Sequence, residues 1–396
     1  MRIAHVITRL ILGGAQENTL LNCEDLLADY NDDVLLITGP ALGPEGSLIE
    51  RARSKRVPLE IISSLRRAIH PLRDAIAYRA IRSTLRQFQP DVVHTHSAKA
   101  GILGRAAAWS LGVPAIVHTV HGAPFYPYQS RAVRSFYRRC ERWAARRCHA
   151  LISVADAMTD LMVEARVAPA EKFTTIYSGM EVEPFLHADT LRDEARRELG
   201  YDDSHVVVGK IARLFPLKGH ESLIRAASAV VEKHANTRFL LVGDGVLRDK
   251  LQRQIDAAGL GAYFQFAGLV SPERIPRLLA AMDIVAHTSL REGLARVLPQ
   301  ALIVGRPVIS YDVDGAREVV IPDTPGLLLP PTSIGELTAS LDRLIADRDL
   351  RERMGAAGRT RCADVFRHET MTAQIRALYE SVLAKNADAA KPAARS

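Results

Sequence analysis

Short apolar runs alternate with longer segments of helical spacing along the whole chain. The pattern predicts strands at Ile3–Ile7, Val34–Thr38, Leu59–Ile62, Val92–His94, Ala115–Thr119, Ala150–Ser153 and Thr174–Tyr177. It pauses in a charged stretch, Asp189 to Asp203, which is expected to hold a short helix. It then restarts with His205–Ile211, Arg238–Val242, Phe264–Ala267, Ile284–His287, Pro307–Ser310 and Gly326–Leu328. Strands separated by helical segments argue for parallel sheets with helices on both faces. Such sheets bind ligands at the carboxyl ends of their strands, so the turns that follow these runs are where chemistry is sought.

One turn is richest. After His287 come Thr288-Ser289, Glu292-Gly293 and then a helix ending near Val304. Pro299 is tolerated only in a first turn, so that helix starts within a few residues before it. Gly305 stops it. The free amides of residues 293 to 296 are expected to face an anion, and Gly293 lets the backbone come close. Gln300 lies eight residues beyond Glu292, in the opening turns of the helix. Glu-Gly before a helix is also a common capping arrangement.

Other turns offer weaker signals. The first run leads into Gly13-Gly14, which permits close approach of a ligand or makes a plain tight turn. The dinucleotide fingerprint G-x-G-x-x-G is absent there, which counts against a dehydrogenase. Arg213 and Lys218 flank a proline-bearing turn and can converge on one diphosphate, the first as a fork and the second as a point charge. They read equally as solvated loop charges. Gly243-Asp244-Gly245 lacks a third glycine. His94-Thr95-His96 and His118-Thr119-Val120-His121 end two strands. No cysteine or carboxylate completes a zinc set, so these clusters are expected to line a cleft, with His94 and His118 turned into the core. Asp312-Val313-Asp314 is a metal-binding triplet of other folds, here outside its structural context.

Composition narrows the class. A chain of 396 residues exceeds one ordinary core and implies two domains. Hydrophobic content of 47% with 24% charged residues fits a globular protein without long apolar spans. The formal charge of +7 suits anionic ligands or an anionic surface. Four cysteines without paired spacing read as reduced structural thiols in a cytoplasmic protein. The apolar start is interrupted by Arg9 and reads as a buried strand, not a signal peptide. Residues 131–147 carry arginines at helical intervals with Phe136, Tyr137 and Trp143 between them. This helix is a solvated face, a membrane-surface element or, least in keeping with the rest of the chain, a nucleic-acid reader.

The order and spacing of these turns resemble the retaining glycosyltransferases of family 4, which have the GT-B fold. The resemblance covers nearly the whole chain. It implies two doubly wound, Rossmann-like α/β domains facing across a cleft: 1–185 on the acceptor side, 203–368 for the nucleotide sugar, a terminal helix at 369–385 returning to the first domain, and a disordered tail at 386–396. Glu292 matches the family's sugar-contacting Glu. Gln300 stands where the family has a second Glu on the ribose, a neutral replacement that can still accept and donate. The resemblance places Arg213 and Lys218 on the diphosphate and His121 beside the donor sugar. It places Gly13, Gly14, Gly243, Gly245, Gly293, Leu294 and Ala295 around the donor, and His96 and Lys99 on the acceptor side.

The implied reaction moves a sugar from a nucleotide diphosphate sugar to an acceptor hydroxyl with retention, without a metal or cofactor. A glycan or lipid-linked acceptor of the cell envelope or an exopolysaccharide is expected. The protein is expected in the cytoplasm, with peripheral attachment to the membrane's inner face through 131–147, and with no nucleic-acid partner. The alternatives are a nucleotide-sugar epimerase or a phosphorylase of the same fold, or a non-catalytic nucleotide-sugar-binding protein.

Overall fold

The computed structural model describes residues 1–43, 46–322 and 324–390, with side chains to 388. It divides into two units, Met1–Met180 with Arg367–Ser396, and Glu181–Phe366. Unit 1 contains strands β1 (Arg2–Ile7), β2 (Asp33–Thr38), β3 (Leu59–Ile61), β4 (Val92–His96), β5 (Ala115–Val120), β6 (Ala150–Ser153) and β7 (Phe173–Thr175). They form one parallel sheet in the order β3-β2-β1-β4-β5-β6-β7. Unit 2 contains β8 (Val206–Ile211), β9 (Thr237–Val242), β10 (Phe264–Gly268), β11 (Ile284–His287), β12 (Val308–Tyr311) and β13 (Gly326–Leu329). Their order is β10-β9-β8-β11-β12-β13, again parallel. Each predicted run is a strand, with ends shifted by one or two residues. Strands covered on both faces must be apolar throughout, and that is why they stood out as runs.

Three boundaries differ from expectation. β4 extends to His96, two residues past the expected end. The stretch after Met180 belongs to unit 2, so the first unit ends five residues before the expected 185: Phe185 is buried, and Arg192 and Arg196 grip the Asp283 carboxylate and the carbonyls of Ala280 to Met282. The terminal helix His368–Ala390 runs past 385, because its residues 386–390 are mostly alanine, the best helix former. Its Asn386 amide donates to Pro114 O at 2.7 Å. The remainder of the expected tail, 391–396, lies outside the described residues.

That helix is a structural part of unit 1. Thr372 donates to Asp25 and accepts from Asn22, Arg376 reaches Asp32, and the buried Tyr379 hydroxyl meets His94 Nδ1 at 2.5 Å. Met371, Ile375 and Tyr379 complete the core formed with β1, β2, β4 and β5.

The basic helix Arg131–Ala145 starts at a Ser130 cap and is anchored through its only acidic residue. Glu141 accepts from Arg105 Nη2 at 2.9 Å, with both side chains almost fully buried. Removing one partner strands a charge in a dry site. Glu141→Leu is expected to destabilise unit 1 by about 3–5 kcal/mol, with most of the loss recovered by adding Arg105→Met. Both tryptophans, Trp109 and Trp143, lie in unit 1, so their fluorescence in a urea titration reports this unit.

Candidate active site

In unit 2 the chain leaves β8 for β9 on one side and later places β11 on the other. A parallel sheet opens a crevice at such a switch point, at the carboxyl ends of its strands. The loops after β8, β11 and β12 converge there on Glu292. Lys218 Nζ, from the first loop, donates to Glu292 Oε1 at 2.5 Å. Asp314, from the third, accepts from the Glu292 amide at 2.6 Å, and Gly315 N donates to Gly293 O at 3.2 Å. Gly219 has φ of 69°, and a Cβ there would lie 1.8 Å from Thr288 O, so only glycine lets the first loop close on the turn. Burial pushes the Glu292 carboxyl up, but the Lys218 charge, the neighbouring His287 and the Lys218 hydrogen bond outweigh it and hold it below the usual range.

Beneath the turn lie buried polar groups that the sequence did not single out. Lys210, within β8, donates to Thr288 Oγ1 at 2.9 Å, and Thr288 donates on to Gly219 O at 2.6 Å. Burial lowers the Lys210 ammonium to about 7, aided by Lys218 and opposed by Glu292. His287 Nε2 lies 3.7 Å from Glu292 Oε1, and burial holds its imidazole down to about 3. A lysine inside the run VVVGKI was the available signal, since a charge in a buried strand needs a reason.

The other expected donor residues take distinct places. Arg213 is exposed on the β8 loop, 5.1 Å from the Phe215 ring centre. Gly293 and Gln300 are half-buried, whereas Leu294 and Ala295 are buried in the turn before the helix Val297–Val304. Gly243 has a packing reason of its own: a Cβ would come within 2.3 Å of Ala212 O. Gly245 lies likewise against Leu214 O. The Asp312-Val313-Asp314 triplet has structural partners of its own. Asp312 pairs with Arg317, and Asp314, at φ of 48°, fixes the Glu292 turn.

Unit 1 has its own switch point between β1 and β4, and histidines gather beside it. His5 on β1 is in register with His94 on β4. A period of two puts His94 and His96 on one face. His94 is buried, and His96, expected in the loop after the strand, is buried within it. His96 Nε2 meets His5 Nδ1 at 3.1 Å, and its Nδ1 meets His121 Nε2 at 3.1 Å. His96 is thus engaged at both nitrogens below the surface. Lys99 is also committed, to the Asp74 carboxylate at 2.7 and 2.9 Å and to Ala68 O. His118 lies on the opposite face against Thr95 and Gly101. Gly13 caps the helix Gly14–Ala28 in extended backbone, and a Cβ there would meet only the flexible Gln16 side chain. Internal packing therefore does not demand a glycine at that position.

One histidine triad, His5, His94 and His96, has nitrogens within 4.8 Å of one another. His94 is bonded to Tyr379 and Thr119, and His96 to His5 and His121, so a metal would have to displace bonds already made.

Comparison with known proteins agrees with this geometry. The sequence profile "Glycosyl transferases group 1" matches residues 192–361, and "Glycosyl transferase 4-like domain" matches 13–179. The chain is 30% identical to a GDP-mannose-dependent alpha-mannosyltransferase of Mycolicibacterium smegmatis over 352 residues, covering 86% of this chain and 87% of that one. It is 29% identical, over 88% of its length and 89% of the relative's, to the Escherichia coli UDP-Gal:alpha-D-GlcNAc-diphosphoundecaprenol alpha-1,3-galactosyltransferase. Its fold matches Anabaena HepE, solved with UDP and glucose, at a TM-score of 0.81 and 24% identity, covering 96% of this chain and 100% of that one. The chain belongs to the group 1 glycosyl transferases, enzymes of the GT-B fold.

Proposed function

We propose that this enzyme transfers a sugar from a nucleoside diphosphate sugar to the hydroxyl of a lipid-linked or other envelope glycan, with retention at the anomeric carbon. The observation that carries the reading is the Lys218–Glu292 pair at the switch point of unit 2, braced by Asp314. Glu292 holds the donor sugar. Arg213, Lys218 and the amides of Gly293, Leu294 and Ala295 receive the charge that grows on the diphosphate as its bond to the sugar breaks. Gln300 meets the ribose, and Gly243 and Gly245 border the nucleotide. The acceptor oxygen forms the new bond from the face the diphosphate leaves, and its proton passes to the departing phosphate oxygen. His121, Gly13 and Gly14 are assigned to the donor by the family resemblance. The acceptor class is suggested by the Escherichia coli relative, whose acceptor is a diphosphoundecaprenol-linked sugar.

The helix Arg131–Ala145 suits such an acceptor. Val133, Phe136 and Trp143 fall on one helical stripe and are 44%, 50% and 43% exposed. Tyr128 is exposed just before them, and Arg131, Arg139 and Arg146 are exposed around them. Among the described residues no helix is long and apolar enough to cross a membrane. We assign this face to reversible contact with an anionic membrane surface on the cytoplasmic side.

Screening UDP- and GDP-sugars for thermal stabilisation identifies the working donor, because a ligand of the native state raises its apparent stability. With that donor, in EDTA, the unaltered enzyme is expected to turn over. Arg213→Ala and Lys218→Ala are each expected to lower nucleotide release about a hundredfold, the scale of one lost charge-stabilising donor. Near-normal rates in both variants overturn the assignment. Gln300→Glu is expected to keep or improve donor affinity, since a carboxylate accepts stronger bonds from ribose hydroxyls. A marked loss in isothermal titration would show instead that the Gln300 amide donates a required bond. For the helix face, the protein should co-sediment with phosphatidylglycerol vesicles at low salt and release at high salt. Changing Arg131, Arg139 and Arg146 to Glu should abolish this binding, and equal binding by that variant removes the membrane assignment.

A further inference from the structure

His5, His96 and His121 form a continuous hydrogen-bonded chain that the reaction outlined above does not use in full. The links are His5 Nδ1 to His96 Nε2 and His96 Nδ1 to His121 Nε2, both 3.1 Å. The rings of His5 and His96 are stacked with centres 5.3 Å apart, and those of His96 and His121 with centres 5.4 Å apart. His5 is 0% and His96 1% exposed, and burial holds both imidazoles well below the ordinary histidine range, so both are neutral. A neutral imidazole has one donor and one acceptor nitrogen. His96 must therefore donate on one side and accept on the other, and the chain has a single polarity with two possible directions.

The far end of the chain selects the direction. His5 Nε2 is buried with no hydrogen-bond partner. If the bonds ran from His121 toward His5, His5 would accept at Nδ1 and bury an unpaired N–H at Nε2. If they run from His5 toward His121, only a lone pair is left there. Orphaned buried N–H groups are rare, and under-satisfied acceptors are better tolerated. The second direction puts the proton of each ring on Nδ1. We propose that His5 and His96 are positioning residues that hold His121 as the neutral Nδ1–H tautomer, with its Nε2 accepting from His96.

The consequence concerns charge. A proton added at His121 Nε2 would face the His96 Nδ1–H, and accommodating it would require reversing the chain and placing an N–H at the dry end of His5. The chain thus opposes an imidazolium at His121. A neutral ring beside a sugar developing positive charge avoids repulsion that a cation would add. This catalytic part rests on the reading of His121 as a contact of the donor sugar, whereas the tautomer does not.

Two-bond ¹H–¹⁵N correlation spectra of histidine-labelled protein read the tautomers directly. His5, His96 and His121 are each expected to show a protonated Nδ1 and an unprotonated Nε2, which is the minor form of free neutral histidine. A protonated Nε2 on any of the three in the unaltered protein overturns the proposal without a variant. His5→Phe keeps the ring volume and removes the leading donor. The His121 signals should then move toward mixed tautomers, with kcat falling about tenfold or more and the donor KM little changed. An unchanged His121 pattern, or a changed pattern with unchanged kcat, overturns the positioning role. His118→Asn, on the other face of the sheet, should leave the His121 pattern as it is, and a shift there equal to that in His5→Phe counts against the chain. Full activity in His121→Ala, with the tautomer pattern of the unaltered protein as stated, would instead remove the donor-sugar reading and leave the tautomer assignment standing.

Discussion

Glu292 is held from two neighbouring loops at once, its amide by Asp314 and its carboxylate by Lys218. Neither loop is rigid by itself. The first carries Leu217 and Gly219 at positive φ, and the second carries Asp314 in the same region. Their conformations are fixed because both close on the Glu292 turn: Leu290 N donates to Leu217 O and Thr288 to Gly219 O on one side, and Gly315 N donates to Gly293 O on the other. Lys210 is tied to the same turn through Thr288. The site is therefore a cooperative unit, and a buried lysine in β8 belongs to the description of a half-buried carboxylate.

The fold was legible because its physics is local and periodic. Each strand of a sheet covered on both faces must be a short apolar run, and each connection must cover it with a helix. The order of strands was not legible. Nothing in IAHVI or VVHTH says that β1 and β4 are neighbours, so the pairing of His5 with His94 could only come from the structure. The place of 181–202 in unit 2 was hidden for a similar reason. Its charge gives no hint of a partner, but Arg192 and Arg196 point inward to Asp283 and to carbonyls at a helix end. Composition reports how polar a segment is and leaves open which partners neutralise it.

The candidate site divides along the same line. Residues at strand ends with turn chemistry of their own, such as Glu292, Gly293, Lys218 and Gly219, could be found by position. Those that act through a neighbour could not. Asp314 belongs to a triplet whose only sequence signal is a metal motif out of context, and its carboxylate bonds to a backbone amide across the crevice. His96 reads as a loop residue when β4 is taken to end at His94. Extending the strand makes the alternation strict and carries His96 inward with His94.

The two units solve different electrostatic problems with different groups. In unit 2 the crevice holds formal charges set against each other, Lys218 with Glu292, above a lysine whose burial brings it near neutrality. Arg213 is exposed on the same β8 loop. In unit 1 the polar groups near the switch point are imidazoles, and His5, His94, His96 and His118 are all held below the ordinary histidine range by burial. A dry site cannot readily carry several charges, but it can carry dipoles whose directions are set by hydrogen bonds. Opposed ions and ordered dipoles are two ways to hold polar groups in a partly dry fold, and each sheet uses one of them.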